Sequence, residues 1–110
     1  MAAKIPIHES SGNVFEDLGL PNSQELLVKS GLVQRLGQVI ESRGLSQREI
    51  ADTLGVDQPK ISKLLRGQFN GFSTDRLLRF LRLLDQDIEI VLRNKPAKAD
   101  RNGRVSVRSA

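Results

Sequence analysis

Residues 46–66 place the strongest constraint on the fold, because they combine two short amphipathic segments with a glycine between them. Ser46 and Glu49 have the spacing of a capping box, so the first segment is predicted to be a helix that begins after Ser46. Gly55 follows this segment, and glycine tolerates the positive φ that a tight turn requires. The first half of the pattern therefore predicts a short helix that ends in an abrupt turn.

A second helix is predicted directly after the turn. Asp57 is a candidate N-cap, and Pro59 suits the first helical turn, where a missing backbone donor costs nothing. Apolar residues in both segments recur at helical spacing and give each helix one buried face. These core candidates are Ile50, Ala51, Leu54, Val56, Ile61, Leu64 and Leu65.

The second helix keeps a polar and basic outer face, which is typical of a helix-turn-helix whose second helix enters the major groove of DNA. A glutamine amide can bond an adenine edge, a lysine can reach O6 or N7 of guanine, and a proline ring can touch a thymine methyl group. The predicted base contacts are Gln58, Pro59, Ser62 and Lys63. The predicted phosphate contacts are Lys60, Arg66 and Arg43. A surface ion pair is the alternative role for Arg66.

This ordered set of small, glycine and apolar positions resembles the Cro/repressor-like (XRE) helix-turn-helix family. A wider stretch is similar to one branch of that family, the HigA-type antitoxins of toxin–antitoxin pairs. The residues that carry this second resemblance are 12–21, 25–29 and 87–92. The resemblance implies an antitoxin that neutralises a small basic ribonuclease toxin of the RelE/HigB-like kind and represses its own operon.

The family also bears on two individual positions. Its members commonly clamp a DNA phosphate with the residue at the start of the first motif helix, so Gln47 joins the predicted phosphate contacts. They usually carry a polar residue where this chain has Pro59, and the chain departs from the family there.

The remaining patterns predict an all-α, lambda-repressor-like helix-turn-helix bundle of about five helices. One helix is expected from Asn22 or Ser23 to Arg43, with Gly44 as its end and Gly31 as a candidate break. Another is expected to begin at Ser73 or Thr74, because apolar residues follow at helical spacing. Those residues are Leu77, Phe80, Leu81 and Leu84.

Residues 87–93 change to an alternating pattern, which predicts a β-strand. One strand cannot satisfy its own backbone, so the expected partner is the same strand of a second copy in a homodimer. The dimer strand is predicted to use Ile88, Ile90, Val91 and Leu92. Residues 104–108 also alternate and are read either as an addition to that sheet or as disorder.

Charge divides the chain into three regions. Residues 1–21 are predicted to be a flexible acidic N-terminal segment, and residues 22–93 to be the DNA-binding and dimerisation domain. Residues 94–110 contain five basic side chains and one acidic side chain, and they are predicted to be a basic flexible tail.

The N-terminal segment is the candidate toxin-binding site. Its small apolar cluster lies beside Glu16 and Asp17, and it suits the basic surface of a small ribonuclease. The predicted toxin contacts are Val14, Phe15, Leu18 and Leu20. The alternative is that these residues form an N-terminal helix packed on the chain's own domain.

Composition narrows the function further. The 110 residues include no Cys, Trp or Tyr, which excludes disulfides and thiolate metal sites and argues against stacking-based RNA readout. No apolar run is long enough for a membrane span or signal peptide, so a cytoplasmic protein is expected. His8 is the single histidine, and no catalytic constellation, metal site or cofactor site is predicted. The chain is therefore expected to be a binding protein rather than an enzyme.

Three functions fit these features. The first is an antitoxin that represses its own operon by binding a palindromic operator. The second is an XRE-family transcriptional regulator without a toxin partner. The third is a protein-binding adaptor, which the basic second motif helix and the predicted dimer strand disfavour. A neighbouring gene for a small basic ribonuclease would distinguish the first from the second.

Overall fold

The computed structural model describes residues 19, 22–100 and 102–109. Four helices follow one another along the chain, namely α1 (Ser23–Arg43), α2 (Gln47–Leu54), α3 (Gln58–Leu65) and α4 (Thr74–Leu83). Helix α1 packs against α4 and α3, and α2 packs against α3 and α4. The described residues form no β-strand, so the fold is an all-α bundle around the helix-turn-helix of α2 and α3.

The expected fifth helix and C-terminal strand are not found in the described residues. Residues 87–93 have no regular secondary structure, although their sequence alternates. Their large apolar side chains are exposed, with Ile88 at 37%, Val91 at 55%, Ile90 at 75% and Leu92 at 91%. A strand needs a backbone partner for its amide and carbonyl groups, and the described residues of a single copy offer none at this segment.

Helix α1 is continuous across Gly31 and Gly37, so the candidate break at Gly31 does not occur. Asn22 precedes the helix in the left-handed conformation, with φ of 58°. Gly44 ends it with φ of 64°, and its N–H donates to the Glu41 carbonyl oxygen at 3.1 Å. Tertiary packing of the buried α1 face offsets the cost of two glycines within a helix.

Helix α2 starts and stops where the sequence predicts. The Glu49 N–H donates to the Ser46 hydroxyl at 3.1 Å, and the Ser46 N–H donates to the Glu49 carboxylate at 2.9 Å. These reciprocal bonds satisfy two amide groups that the first turn leaves without helical partners. At the other end Gly55 has φ of 69°, and its N–H donates to the Ala51 carbonyl oxygen at 2.8 Å. The predicted capping box and turn are confirmed.

One apolar core holds the four helices together. Five large side chains are almost completely enclosed, and burying each stabilises the fold by about 1.5–3 kcal/mol relative to leaving it exposed. These five are Leu36, Ile50, Ile61, Leu64 and Leu77. Phe72 and Phe80 are also buried, with their ring centroids 5.9 Å apart in an edge-to-face arrangement. The core therefore fixes the inner face of α3 against α1 and α2.

The C-terminal residues return to the bundle. The Val105 N–H donates to the Gln24 side-chain oxygen at 2.8 Å, and Val107 packs against the core beside Gly31. Between α4 and this contact, the Ala99 N–H donates to the Pro96 carbonyl oxygen at 3.0 Å in a turn. Residues 94–110, which the sequence predicts to be a tail, thus include a segment with a defined contact on α1.

Candidate nucleic-acid interface

Asp57 is the N-cap residue of α3, but its side chain does not form the capping hydrogen bond that the sequence predicts. The Asp57 carboxylate makes no capping hydrogen bond, and its backbone carbonyl oxygen accepts from the N–H groups of Lys60 at 3.0 Å and Ile61 at 3.1 Å. A cap would use the second or third amide of the helix. The second residue of the helix is Pro59, which has no N–H to donate. The third is Lys60, whose N–H donates to the Asp57 carbonyl oxygen instead. The Asp57 carboxylate is consequently left exposed beside the first turn of α3.

The outer face of α3 is a continuous polar strip. Ile61 and Leu64 are buried, while Gln58, Pro59 and Lys63 are exposed and Ser62 is half-buried. Residues three and four positions apart in a helix are neighbours on its surface, so these four predicted base contacts lie side by side. Arg66, at the C-terminal end of the helix, is exposed and has no ion-pair partner among the described residues.

The predicted phosphate contacts come from the ends of three helices. Gln47 is the exposed first residue of α2, Lys60 lies in the first turn of α3, and Arg43 is the last residue of α1. A guanidinium nitrogen of Arg43 lies 3.5 Å from a carboxylate oxygen of Asp85, whose side chain is 84% exposed. Such a solvent-exposed pair is weak, so Arg43 can exchange this partner for a phosphate at little cost.

A shallow cavity of about 270 Å³ adjoins the polar strip at the end of α3, and the sequence alone did not indicate it. It combines three cationic side chains with polar loop residues and has no acidic residue in its lining. The lining residues are Lys60, Lys63, Gln68, Asn70, Gly71, Phe72 and Arg76. An opening with several cations and amide groups suits an anionic ligand such as a phosphate group.

Arg76 is the site residue that sequence reasoning missed. Its guanidinium carbon lies 4.8 Å from the Phe72 ring centroid and 5.5 Å from that of Phe80. A guanidinium nitrogen also donates to the Gly71 carbonyl oxygen at 3.5 Å, and the Arg76 N–H donates to the Ser73 hydroxyl at 3.2 Å. Phe80 lies four residues after Arg76 within α4, and this spacing was the available signal, since the helical repeat places such residues on one face.

The capping box also affects charge at the start of α2. Hydrogen bonds from the Ser46 N–H and hydroxyl lower the pKa of Glu49 below its usual 4.5, because they stabilise the ionised carboxylate. A negative charge at a helix N-terminus is favoured by the helix dipole. The capping box therefore favours the ionised form of Glu49 at the start of α2.

The other predicted site residues do not join this surface. The four residues predicted for the dimer strand, Ile88, Ile90, Val91 and Leu92, are exposed after α4. The predicted toxin contacts Val14, Phe15, Leu18 and Leu20 lie outside the described residues. In the described part of the chain, no group of acidic, histidine or cysteine side chains is arranged to hold a metal ion. None of the described helices is both long and apolar enough to cross a membrane.

Comparisons with known proteins agree with this geometry. A family described as "Helix-turn-helix domain" matches residues 14–93. A solved structure provisionally named an XRE family transcriptional regulator is 42% identical to the chain, with a TM-score of 0.75. The match covers 82% of this chain and 100% of that one. No curated protein matches the chain. Regulators of this kind are generally not enzymes. The chain therefore belongs to the XRE family of helix-turn-helix DNA-binding transcriptional regulators.

Proposed function

We propose that the protein reads a palindromic DNA operator as a homodimer, represses its own operon and acts as an antitoxin. The observation that carries the DNA-reading part is the continuity between the polar strip of α3 and the basic cavity beside it. A strip of amide, hydroxyl and ammonium groups suits base edges, and a group of cations next to it suits the adjoining phosphates.

On DNA, Gln58, Pro59, Ser62 and Lys63 would face base edges in the major groove. Gln47, Lys60, Arg43 and Arg66 would contact phosphates around them, with Arg76 as an additional contact through the basic cavity. Asp57 is exposed and negatively charged close to this surface, so it would repel phosphate and restrict how α3 can approach the groove.

Gel-shift titration on the chain's own promoter tests this assignment. Gln47→Ala should weaken binding to promoter and unrelated DNA by the same factor, because a phosphate contact carries no sequence information. Loss of promoter preference in Gln47→Ala would contradict the phosphate assignment. Its control is Gln34→Ala, which removes another exposed glutamine from α1.

The homodimer is proposed through residues 87–93. Its support is the exposure of their alternating apolar side chains directly after α4. Pairing the same segment of two copies would satisfy both backbones and bury these side chains. Two α3 helices related by a dyad would then sit roughly 34 Å apart, the distance between successive major grooves on one side of DNA.

Analytical ultracentrifugation tests the dimer. Val91→Pro removes a backbone donor from the segment and should weaken the dimer. Ser109→Pro is the matched control, because it also removes a backbone donor but lies outside residues 87–93 and beyond the Val105 contact with Gln24. A wild-type protein that remains monomeric at concentrations of tens of micromolar would contradict the strand dimer.

The antitoxin role is supported by the resemblance of residues 12–21, 25–29 and 87–92 to HigA-type proteins. Its partner would be a small basic ribonuclease that binds the acidic N-terminal segment through Val14, Phe15, Leu18 and Leu20. The second candidate is a regulator without a toxin. It is favoured by the name of the similar solved structure, which describes a transcriptional regulator and nothing further.

Co-expression with the neighbouring gene product distinguishes these candidates, with cell growth as the readout. Phe15→Ala should weaken the toxin complex by about 2 kcal/mol or more, as substitution of a central aromatic contact does. Operator binding by the same variant should not change. Leu83→Ala is the matched control, since it shortens an exposed apolar side chain on α4. Rescue of growth by a variant that lacks residues 1–20 would exclude the N-terminal segment as the toxin site.

A further inference from the structure

Two glycines lie within α1, and only one of them has a close neighbour. A Cβ atom added at Gly31 would lie 2.7 Å from the Val107 Cβ and 3.2 Å from each of its methyl carbons. A Cβ added at Gly37 would have no such atom within 4 Å. Glycine is unfavourable inside a helix, so Gly31 has a reason to be glycine that Gly37 lacks, namely the close approach of Val107.

A second contact fixes the same C-terminal segment. The Val105 N–H donates to the Gln24 side-chain oxygen at 2.8 Å. Gln24 and Gly31 are seven residues apart, which is about two helical turns, so they lie on one face of α1. Val107 is half-buried against the core, and Val28 lies between the two contacts on the same helix. Residues 105–107 therefore run over one defined face of α1.

After α4, the chain contacts α1 at a point close to the contact between Val107 and Gly31. Gln86, just after α4, accepts a hydrogen bond from an Arg35 guanidinium nitrogen at 3.0 Å. The Gln86 N–H also donates to the Leu81 carbonyl oxygen at 3.0 Å. Arg35 and Gly31 are one helical turn apart, roughly 6 Å along the axis. The segment between Gln86 and Val105 thus has both ends fixed on α1, and we call it the anchored loop.

The anchored loop carries Ile90, Val91 and Leu92, three of the most exposed large apolar side chains among the described residues. We propose that Val107 seated on Gly31 is a latch that closes this loop and so pre-organises its apolar segment for association with a second copy. This inference rests on the homodimer proposed above. A segment held at both ends has fewer conformations to lose when it pairs, so a closed latch should favour the dimer.

The two glycines supply a matched pair of variants in the full-length chain. Gly31→Ala should displace Val107, whereas Gly37→Ala makes the same chemical change where space is free. Hydrogen exchange of the Val105 amide, followed by NMR, reports whether the latch is closed. In Gly31→Ala this exchange should accelerate by about tenfold or more, as expected for an amide that loses its partner. Gly37→Ala should leave it within about twofold of wild type.

Sedimentation equilibrium on the same samples then measures self-association. We expect the dimer dissociation constant to rise roughly tenfold in Gly31→Ala and to stay within about twofold of wild type in Gly37→Ala. Val107→Ser leaves α1 unchanged and removes most of the apolar contact, so it should reproduce both effects of Gly31→Ala. It also serves as the second variant if Gly31→Ala disturbs the helix, which circular dichroism would reveal.

These experiments test separately the latch, its coupling to self-association and the homodimer itself. A Val105 amide that stays protected in both Gly31→Ala and Val107→Ser would overturn the latch. An exposed amide with an unchanged dissociation constant would overturn the coupling and leave the homodimer in place. A monomeric wild-type protein would overturn the homodimer and the coupling together.

Discussion

The guanidinium carbon of Arg76 lies 4.8 Å from the ring centroid of Phe72, and the same side chain lines the basic cavity beside α3. The aromatic face holds the cation in place by an interaction that does not require a carboxylate. Among the described residues, Arg76 therefore has no acidic ion-pair partner that would compete with DNA. This distinguishes it from Arg43, which lies beside Asp85.

Arg76→Gln should weaken binding to all DNA sequences alike and reduce the slope of log affinity against log salt by about one. It should also lower the free energy of unfolding by about 0.5–1 kcal/mol, because the cation–aromatic contact is lost. Fluorescence anisotropy over a salt series and urea unfolding measure the two effects. Arg79→Gln is the control, since this arginine of α4 does not line the cavity. Equal salt slopes in both variants would show that Arg76 does not contact DNA.

Lys63→Ala should cost about 1–3 kcal/mol of operator affinity and relax the preference at one base pair in each half-site. Its side chain is exposed on the polar strip of α3, where it can reach a base edge. Binding to a library of operator variants measures both quantities. Arg82→Ala removes an equal charge from the last turn of α4 and should leave the preference unchanged. Unaltered affinity and preference in Lys63→Ala would show that the reading face lies elsewhere.

Ser46→Ala should destabilise the protein by about 1 kcal/mol, within the 0.5–2 range of such N-cap losses. The Glu49 N–H would lose its acceptor at the start of α2. Urea unfolding gives the value. Ser42→Ala is matched in chemistry, but its hydroxyl only donates to the Val39 carbonyl oxygen within α1. Its effect should stay within about 0.5 kcal/mol, and an equal loss in both variants would argue against a special role for the cap.

Glu49 should make stability depend on pH in the acidic range. Because its pKa is lower in the folded than in the unfolded chain, its contribution is fully present above the unfolded value near 4.5. That contribution is lost as the pH falls through the lower folded pKa. Glu49→Gln keeps an oxygen that can accept from Ser46 but cannot titrate. Its unfolding free energy should therefore fall less steeply below pH 4.5 than that of wild type, and identical curves would contradict the assignment.

The sequence predicts well those structural features that depend on residues close together in the chain. The capping box of Ser46 and Glu49 and the turn at Gly55 each depend on a few adjacent positions, and both are found as expected. The predicted Asp57 side-chain cap failed because Pro59 and Lys60 together leave no free donor for it. That competition is also local, so attention to the missing proline donor would have identified it.

The features that the sequence did not indicate depend on residues far apart in the chain. The basic cavity joins lysines of α3 to Arg76 of α4, whose guanidinium group lies over the rings of Phe72 and Phe80. Val107 reaches Gly31 across most of the chain length. The sequence predicts Gly31 as a candidate break in the helix, whereas in the fold Gly31 is the residue that Val107 approaches closely.

The division of α3 into two faces has an evolutionary consequence. Its core residues, Ile61 and Leu64, are fully buried and share no position with the exposed side chains at Gln58, Pro59 and Lys63. Exposed substitutions of this kind usually change stability by no more than about 0.5 kcal/mol. A lineage carrying this scaffold can therefore drift to a new operator through a few surface changes without passing through an unfolded intermediate. Duplicated copies in one genome would be free to diverge in target while keeping the same architecture.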